Sequence, residues 1–391
     1  MKRPTTDPRP TARSELAVWL SMVVALVGLL QTGTPPRMMV LVLIVVAITL
    51  AVSLRWRIGP AVIVVLLLSG MALRAVPSTG FSDVLVVTEA AVREMLAGGN
   101  PYGHGFEVSL PPGAPFAYGP LALTWYLPSL DDPGHMELLA AFIVLGLLAL
   151  RGRPLGLAVY AFTPAFVVAA GDGSNDTTAG LLILVALLAA VRVPVAGAVL
   201  LALAVAFKPY ALAWLPGLLA YGGSVGPLVA FLATSAVAWL PALVAFGPGE
   251  MVWSFRRADG VHDQAYYSLA FALGAPESVP RPVWDGLRIA LGVGLAIGNL
   301  LYVRTAGGLI IGGSLVFGAT LFLGWWGTFA YFAAVAPVLC WHLDEWLGLE
   351  RHRIVWPGDP VRRVTAWADR RWPVRSGSVR SGVMEPTPGA R

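Results

Sequence analysis

Charged residues are scarce in this chain. Only 13% of its 391 residues are Asp, Glu, Lys or Arg, about half the ~25% that is usual in soluble domains. Hydrophobic residues make up 57%, and the mean hydropathy is +0.72. This composition excludes a water-soluble enzyme. Because the apolar residues fall in runs of about 15 to 25 with short polar breaks, we predict an all-α polytopic membrane protein.

Cysteine and lysine are almost absent. The single cysteine, Cys340, excludes a disulfide framework and any cysteine-based metal or redox cluster. Of the 27 basic residues, two are lysines, Lys2 and Lys208. The formal charge of +5 does not imply nucleic-acid binding, because the arginines flank apolar runs, where membrane orientation already accounts for them. The sequence also lacks a P-loop and a Ser-His-Asp nucleophile motif.

The arginine pattern predicts a topology of about twelve crossings. It places a cytoplasmic tail at 1–15, a transmembrane module at 16–347 and a basic, disordered cytoplasmic tail at 348–391. The predicted spans are 16–30, 38–54, 58–75, 137–150, 155–170, 177–191, 194–207, 209–221, 225–246, 283–303, 306–323 and 328–347. Two adjacent spans, 194–207 and 209–221, are short for ~30 Å of hydrocarbon, so we interpret them as broken helices around Lys208 and Pro209.

A long outer loop, 77–136, is the first extended polar stretch. We expect it to contain a surface helix at 84–97 and an interfacial or re-entrant piece at 116–130. On this topology eight acidic residues fall in three loops on the extracytoplasmic side of the plasma membrane, namely Asp83, Glu89, Glu94, Glu107, Asp172, Asp176, Asp259 and Asp263. We therefore expect any chemistry to occur on that side.

Two polar clusters contain carboxylates beside predicted spans. The first combines Asp83 with segments 98–102 and 116–121, and a carboxylate there can act as a general base on a hydroxyl. The alternative is an ordinary solvated loop acid. The second is the turn 171–176, with two aspartates and an asparagine. Its alternative is a hairpin connection, because Gly, Asn and Asp are common turn residues.

Two further clusters are basic. Lys208 lies inside an apolar run, which costs roughly 2.5 to 3.5 kcal/mol on insertion scales and suggests a functional residue that meets a phosphate. Its alternative is snorkelling to the interface. The fourth cluster is 256–267, whose paired arginines on the outer side suggest an anionic partner, with a salt-bridged loop as the alternative. His262 in that segment has no second His or Cys at ligand spacing.

The order of these clusters resembles the GT-C superfamily of multispanning glycosyltransferases that use polyprenyl-phosphate sugars. It is similar in particular to the first mannosyltransferase of glycosylphosphatidylinositol assembly and to actinobacterial polyprenol-phosphate-mannose-dependent alpha-mannosyltransferases. The matching segments are 81–83 and 88–91, the Gly-Gly-Asn-Pro-Tyr of 98–102, the Ala-Tyr-Gly-Pro-Leu of 117–121, and 173–176, 208–210 and 256–262. The resemblance covers roughly residues 77 to 270, and it implies a GT-C-type helix bundle.

The resemblance implies an inverting transfer of mannose, or of another sugar, from a lipid donor at the outer leaflet. Asp83 would be the general base. The donor phosphate would be met by Lys208, Arg256, Arg257 and His262. Acceptor-binding or supporting residues would be Asp172, Asn175, Asp176, Tyr102, Tyr118 and Asp259. The implied partners are the polyprenyl-phosphate sugar, a lipid or glycan acceptor and the bilayer, with no protein-held cofactor.

The chain departs from the family pattern at Phe81, where the family has the first acid of an acidic-x-acidic pair. Asp83 must therefore act alone, and metal dependence stays open, as does a non-catalytic scaffold. A polytopic transporter or lipid-linked sugar flippase is the main alternative, with Lys208 and Pro209 marking a midplane site. A Lys208 within side-chain reach of Asp83 at the outer face would favour the transferase, and a Lys208 isolated at the midplane would favour transport. The acceptor and the choice between mannose and arabinofuranose stay open.

Overall fold

The computed structural model describes residues 59–75 and 82–349, apart from 224, 262–267, 275–277, 326 and 329, together with six isolated positions nearer the termini. Of the described residues 77% are helical, in 15 α-helices. This confirms the all-α prediction. The predicted spans 16–30 and 38–54 and nearly all of the tail after 349 lie outside the described residues.

Among the described residues, eight α-helices precede Lys208. They are α1 Gly59–Arg74, α2 Val84–Leu96, α3 Pro120–Trp125, α4 Gly134–Arg151, α5 Pro154–Phe162, α6 Pro164–Val168, α7 Asp176–Arg192 and α8 Pro194–Phe207. In the long outer loop, a two-stranded antiparallel ribbon pairs β1 Gly105–Phe106 with β2 Ala114–Pro115, and a 3-10 turn occupies Leu127–Ser129. The loop thus contains the two short helices, α2 and α3, that the sequence predicts there.

Seven α-helices of the described part of the chain follow the 3-10 helix Pro209–Trp214. They are α9 Leu215–Gly222, α10 Val225–Phe246, α11 Pro248–Gly260, α12 Leu269–Ala272, α13 Arg281–Tyr302, α14 Ala306–Leu321 and α15 Tyr331–Trp346. The predicted break beside Lys208 is confirmed: α8 ends at Phe207, and Lys208 is extended, with φ −142° and ψ 113°. The residue before a proline is disfavoured in the helical region, which explains the break.

Three helices are long and apolar enough to cross a membrane: Gly134–Arg151, Val225–Phe246 and Arg281–Tyr302. Helical structure also occupies the other predicted spans that fall in the described residues, but those helices are shorter. The predicted number of about twelve crossings is therefore not reached by length and composition among the described residues. The side chains of α10 support a membrane setting, since Val237 and Val244 are 76% and 85% exposed.

The centre of the bundle is formed by α7, which packs against α8, α15 and α4. Its buried side chains join one cluster with α8, α14 and α15, while α1, α4 and α5 share a second cluster. A third cluster joins the loop helices α2 and α3 to Phe207 at the end of α8 and to Ala179 in α7. The outer loop therefore packs directly on one end of the bundle, where α7 begins and α8 ends.

Candidate functional site

A cavity of about 650 Å³ lies where the outer loop meets the bundle. Its charged lining residues are Asp83, Asp172, Asp176, Lys208 and Arg288. Its remaining lining is mainly apolar or aromatic, including Val84, Val87, Leu110, Pro115, Tyr118, Pro209, Tyr210, Phe255, Leu321 and Tyr331. The volume falls in the range of about 300 to 1,000 Å³ that is usual for small-molecule sites.

Backbone hydrogen bonds join the segment before α2 to the 171–176 turn. The Ser82 N–H donates to the carbonyl of Asp172 at 2.8 Å, and the Leu85 N–H donates to the carbonyl of Gly173 at 2.8 Å. Gly173 has φ +87°, and a Cβ there would lie 2.2 Å from the Ser82 carbonyl oxygen. Only glycine fits this approach. The first two predicted clusters are thus held together by their main chains.

A second close approach joins the outer loop to the end of α8. The Gly119 N–H donates to the Phe207 carbonyl at 3.1 Å, and a Cβ on Gly119 would lie 2.0 Å from the Ala206 carbonyl oxygen. The contact brings Tyr118 beside Lys208, with the ammonium 5.3 Å from the ring centroid. Burial raises the pKa of Tyr118 well above its usual value, so its hydroxyl stays protonated.

Lys208 is buried and donates two hydrogen bonds. Its Nζ donates to Asn175 Oδ1 at 2.6 Å and to Asp176 Oδ1 at 2.8 Å. The Tyr210 hydroxyl donates to the same oxygen of Asp176 at 2.6 Å. The side chains of Lys208 and Asp176 are 8% and 2% exposed. Burying a charge costs desolvation energy, which an opposite charge at hydrogen-bond distance can offset. The charge of Lys208 is therefore balanced by that of Asp176.

Asp83 is the carboxylate that the outer loop contributes to the cavity. It is half-buried just before α2, and its Oδ2 accepts the Leu110 N–H at 2.7 Å. Within the part of the chain that the structure describes it pairs with no cation. Its second oxygen is available to a ligand in the cavity, which is the property that a general base needs.

Asp172 is buried within the 171–176 turn. Its Oδ1 accepts the Ser174 N–H at 2.8 Å, and only 1% of the residue is exposed. Burial raises the pKa of Asp172 to about 6, with a smaller upward contribution from Asp176 and a downward one from Lys208. Its buried hydrogen bond and its backbone bond to Ser82 indicate a supporting role.

Tyr102 lies away from the cavity lining and supports it from behind. Its hydroxyl donates to the Tyr118 carbonyl at 3.0 Å, and its ring packs edge-on against Phe116. Asn100 in the same motif donates to the Phe246 carbonyl at 2.8 Å, where α10 ends. The Gly-Gly-Asn-Pro-Tyr segment therefore fixes the outer loop to the junction between α10 and α11.

The predicted phosphate clamp is not assembled around this cavity. Arg256 and Arg257 are exposed on α11 and are not among the residues that line it. The face of α11 that does line it carries Phe255 and Ala258. His262 lies outside the described residues, and the side chain of Asp259 is not described either. Of the predicted phosphate ligands in the described residues, only Lys208 reaches the cavity.

The sequence analysis gave no role to three further residues of the site, although one of them, Tyr210, belongs to the 208–210 segment quoted there. Arg288 lines the cavity from α13, and Tyr210 and Tyr331 place their rings 5.0 and 5.9 Å from the Lys208 ammonium. Arg288 lies inside a predicted span, so the insertion cost that singled out Lys208 also applies to it. The tyrosines gave no comparable signal, because aromatic residues are common throughout apolar helices.

Glu137 is a buried acid that the sequence analysis did not single out. Its carboxylate accepts the Thr178 N–H at 2.9 Å, the Thr178 hydroxyl, and the Tyr126 hydroxyl at 2.7 Å. A carboxylate at a helix N-terminus satisfies free amide groups and is favoured by the helix dipole. Glu137 thereby fixes the start of α7, on which Asp176 stands.

The site offers three carboxylates, those of Asp83, Asp172 and Asp176, and the two cationic side chains of Lys208 and Arg288. Across the described residues, no group of three or more His, Cys, Asp or Glu side chains is placed to hold a metal ion, and we assign no residue to one. Phe81 lies outside the described residues. Comparison of the chain with models of protein families, with curated proteins and with solved structures finds no match.

Proposed function

We propose that this chain is a membrane glycosyltransferase. It transfers a sugar, with mannose as the first candidate, from a polyprenyl-phosphate donor to a lipid or glycan acceptor on the extracytoplasmic face of the plasma membrane. Asp83 takes the proton of the acceptor hydroxyl as that oxygen bonds to the anomeric carbon. The bond from that carbon to the phosphate oxygen breaks, and polyprenyl phosphate leaves. The configuration at the anomeric carbon of the transferred sugar is inverted.

One observation carries the proposal: Asp83, without a cationic partner among the described residues, lines one cavity with Lys208, Asp176 and Tyr118. These residues come from three of the four polar clusters whose order resembles the GT-C family. A carboxylate without a cationic partner, in a cavity large enough for a small molecule, is what proton removal from an acceptor hydroxyl needs.

The transporter or flippase is the second candidate, and the surroundings of Lys208 weigh against it. A midplane substrate site would leave this lysine available to the substrate. Its ammonium instead bonds Asn175 and Asp176 and lines the same cavity as Asp83. Of the two alternatives, this arrangement favours the transferase.

The test is transfer by the purified chain carrying Asp83→Asn, with a radiolabelled polyprenyl-phosphate mannose and a membrane lipid extract as acceptor. The substitution keeps the side-chain size and removes the basicity, so we expect turnover to fall roughly 100-fold or more while donor binding persists. Glu107→Gln is the matched control, because Glu107 is an exposed acid of the same loop outside the cavity lining.

Near-normal transfer by the Asp83→Asn protein would refute the assignment of the base. Loss of transfer in the Glu107→Gln protein to the same extent would show that the loop tolerates no change of charge, and would also count against Asp83. No transfer by the wild-type chain with any polyprenyl-phosphate sugar, combined with movement of a lipid-linked sugar across vesicle membranes, would establish the flippase.

A further inference from the structure

The two-stranded ribbon of the outer loop reaches the cavity with its turn. Residues 107–113 join β1 to β2, and Leu110 in that turn is one of the residues that line the cavity. The Leu110 N–H donates to Asp83 Oδ2 at 2.7 Å. The residue itself is 75% exposed, so packing of the leucine side chain does not fix this contact. The contact depends instead on the shape in which the main chain of the turn is held.

Ser109 holds the turn from the inside. The residue is fully buried, and its Oγ accepts the Ala114 N–H at 2.8 Å. The same oxygen lies 2.7 Å from the Phe106 carbonyl oxygen and 2.8 Å from that of Pro111, and its one proton is donated to either of them. A single hydroxyl thus joins the end of β1, the middle of the turn and the start of β2.

The strands alone provide little to hold this turn. They pair over two positions, Gly105 with Pro115 and Phe106 with Ala114, and a proline has no N–H to donate to the ladder. The Phe106 carbonyl accepts the Gly113 N–H at 2.9 Å, which closes the base of the turn. The serine hydroxyl adds bonds that the short ladder lacks. Without it, buried main-chain groups would lose their partner, which is costly.

We infer that Ser109 is a positioning residue for Asp83: its buried hydroxyl holds the turn that brings the Leu110 N–H to the carboxylate. This hydrogen bond fixes one carboxylate oxygen and so orients the other one. The inference rests on the proposed function for its consequence, since a general base acts only within hydrogen-bond reach of the proton it removes. A displacement of about 1 Å can lower turnover roughly 100-fold.

The first experiment needs no activity. It is hydrogen exchange of the purified full-length chain in nanodiscs, read at single-residue resolution across 107–113. Ser109→Ala should speed exchange of the Leu110 amide about tenfold or more, because the turn loses its buried bonds. Asp83→Ala should expose the same amide. Ser129→Ala is the matched control, because this hydroxyl also bonds a main-chain carbonyl of the outer loop but does not line the cavity. It should leave the Leu110 amide unchanged.

The second experiment separates positioning from a structural role by a double-mutant cycle on sugar transfer. Ser109→Ala should lower turnover about ten- to a hundredfold, with the KM for the donor within about twofold of the wild type. In the Asp83→Asn protein the same substitution should change the residual transfer less than about twofold, because the hydroxyl acts through the base. A merely structural serine would lower transfer by the same factor in both backgrounds.

A milder variant covers the case in which Ser109→Ala does not fold. Ser109→Cys is of nearly the same size and has a weaker donor, so it should show the same two effects to a smaller extent. Its exchange in α7 and α8 should match the wild type, which shows that the bundle around the cavity is intact.

Two results would overturn the inference: equal losses of transfer in both backgrounds, or a Leu110 amide that exchanges at the wild-type rate in Ser109→Ala. A Leu110 amide that is unaffected by Asp83→Ala would do the same. The proposed function fails separately. Protection of Leu110 that depends on Ser109 and Asp83, in a wild-type chain that transfers no sugar, would refute the transferase alone. Transfer that depends on Asp83, with equal losses from Ser109→Ala in both backgrounds, would refute this inference alone.

Discussion

The two walls of the cavity are built differently. We define the inner wall as residues 82–84, the 172–176 turn and Lys208, and the outer wall as the lining residues of α11 and α13. Within the inner wall, main-chain hydrogen bonds and the Gly173 contact join the segment before α2 to the 172–176 turn, and the Gly119 contact joins the outer loop to the end of α8 beside Lys208. The outer wall consists of helix faces, and α13 leaves most of its apolar surface exposed.

Charge follows the same division. On the inner wall, the Lys208 ammonium donates to the Asp176 carboxylate, and these side chains are 8% and 2% exposed. On the outer wall, Arg288 lies 3.2 Å from Asp285, and these side chains are 20% and 22% exposed. Removing one partner of a buried pair is costly, whereas solvent screens a partly exposed pair, so the two ion pairs should contribute differently to stability. Three sets of substitutions test this difference between the two walls.

The largest effect is expected from breaking the closed pair. Lys208→Met leaves the Asp176 carboxylate, which is 2% exposed, without its cation. Removing one partner of a buried pair typically costs about 3 to 5 kcal/mol. We expect a marked fall in the unfolding temperature of the detergent-solubilised protein. Arg288→Gln on the outer wall should cost about 1 kcal/mol or less, because that pair is partly exposed.

A double variant is the control for that prediction. Asp176→Asn combined with Lys208→Met removes both charges and keeps an acceptor for the Tyr210 hydroxyl. It should therefore recover part of the lost stability. Equal stability losses from Lys208→Met and Arg288→Gln would erase the difference between the two walls.

The second effect depends on pH and concerns Asp172. The folded protein holds the pKa of this carboxyl at about 6, above the value of about 3.9 in an unfolded chain, so the unfolding free energy falls as pH rises from about 4 to about 6. Asp172→Asn removes the titration and keeps an acceptor for the Ser174 N–H. It should match the wild type at pH 4 and be more stable at pH 7, by at most about 3 kcal/mol.

Thermal unfolding of both proteins at the two pH values measures this effect. An equal difference at both pH values would mean that Asp172 is already ionised in the folded protein, and the inner wall would then be wetter than its burial indicates.

The smallest effect on stability is expected at the glycine contact between the outer loop and the end of α8. A methyl group on Gly119 would meet the Ala206 carbonyl oxygen at 2.0 Å, so Gly119→Ala should cost about 1 to 3 kcal/mol of unfolding free energy. Gly249 in α11 has open space around its Cβ position. Gly249→Ala should be neutral or stabilising, because alanine favours helix. Unfolding temperatures of the two variants measure the difference, and similar values would show that the loop can move away from α8.

Several features were predictable from local patterns. Runs of apolar residues gave the helix positions, and Lys208 before Pro209 gave the break, because proline restricts the residue that precedes it. The clusters around Asp83 and the 171–176 turn were recognised as polar groups at the ends of spans, and the structure brings both to one cavity. Hydropathy cannot give the number of crossings, since helices of similar composition differ in length.

The partners of charged residues were not predictable in the same way. Lys208 was expected to be a phosphate ligand, yet its ammonium bonds Asp176, 32 positions earlier in the chain. Arg256 and Arg257 were expected in the site, but the face of α11 that lines the cavity is the one carrying Phe255 and Ala258. Periodicity shows that a helix has faces; the neighbouring helices decide which of them is inside.

The sequence by itself determined that this is a helical chain with apolar spans and that its polar residues gather in a few segments. Hydrophobicity and proline act locally, so these properties can be read along the chain. The tertiary structure alone decided which charged residues share one cavity and that Lys208 is paired with a buried aspartate. Those outcomes depend on contacts such as Leu110 with Asp83 and Lys208 with Asp176, made between segments far apart in sequence by the packing of the outer loop on α7 and α8.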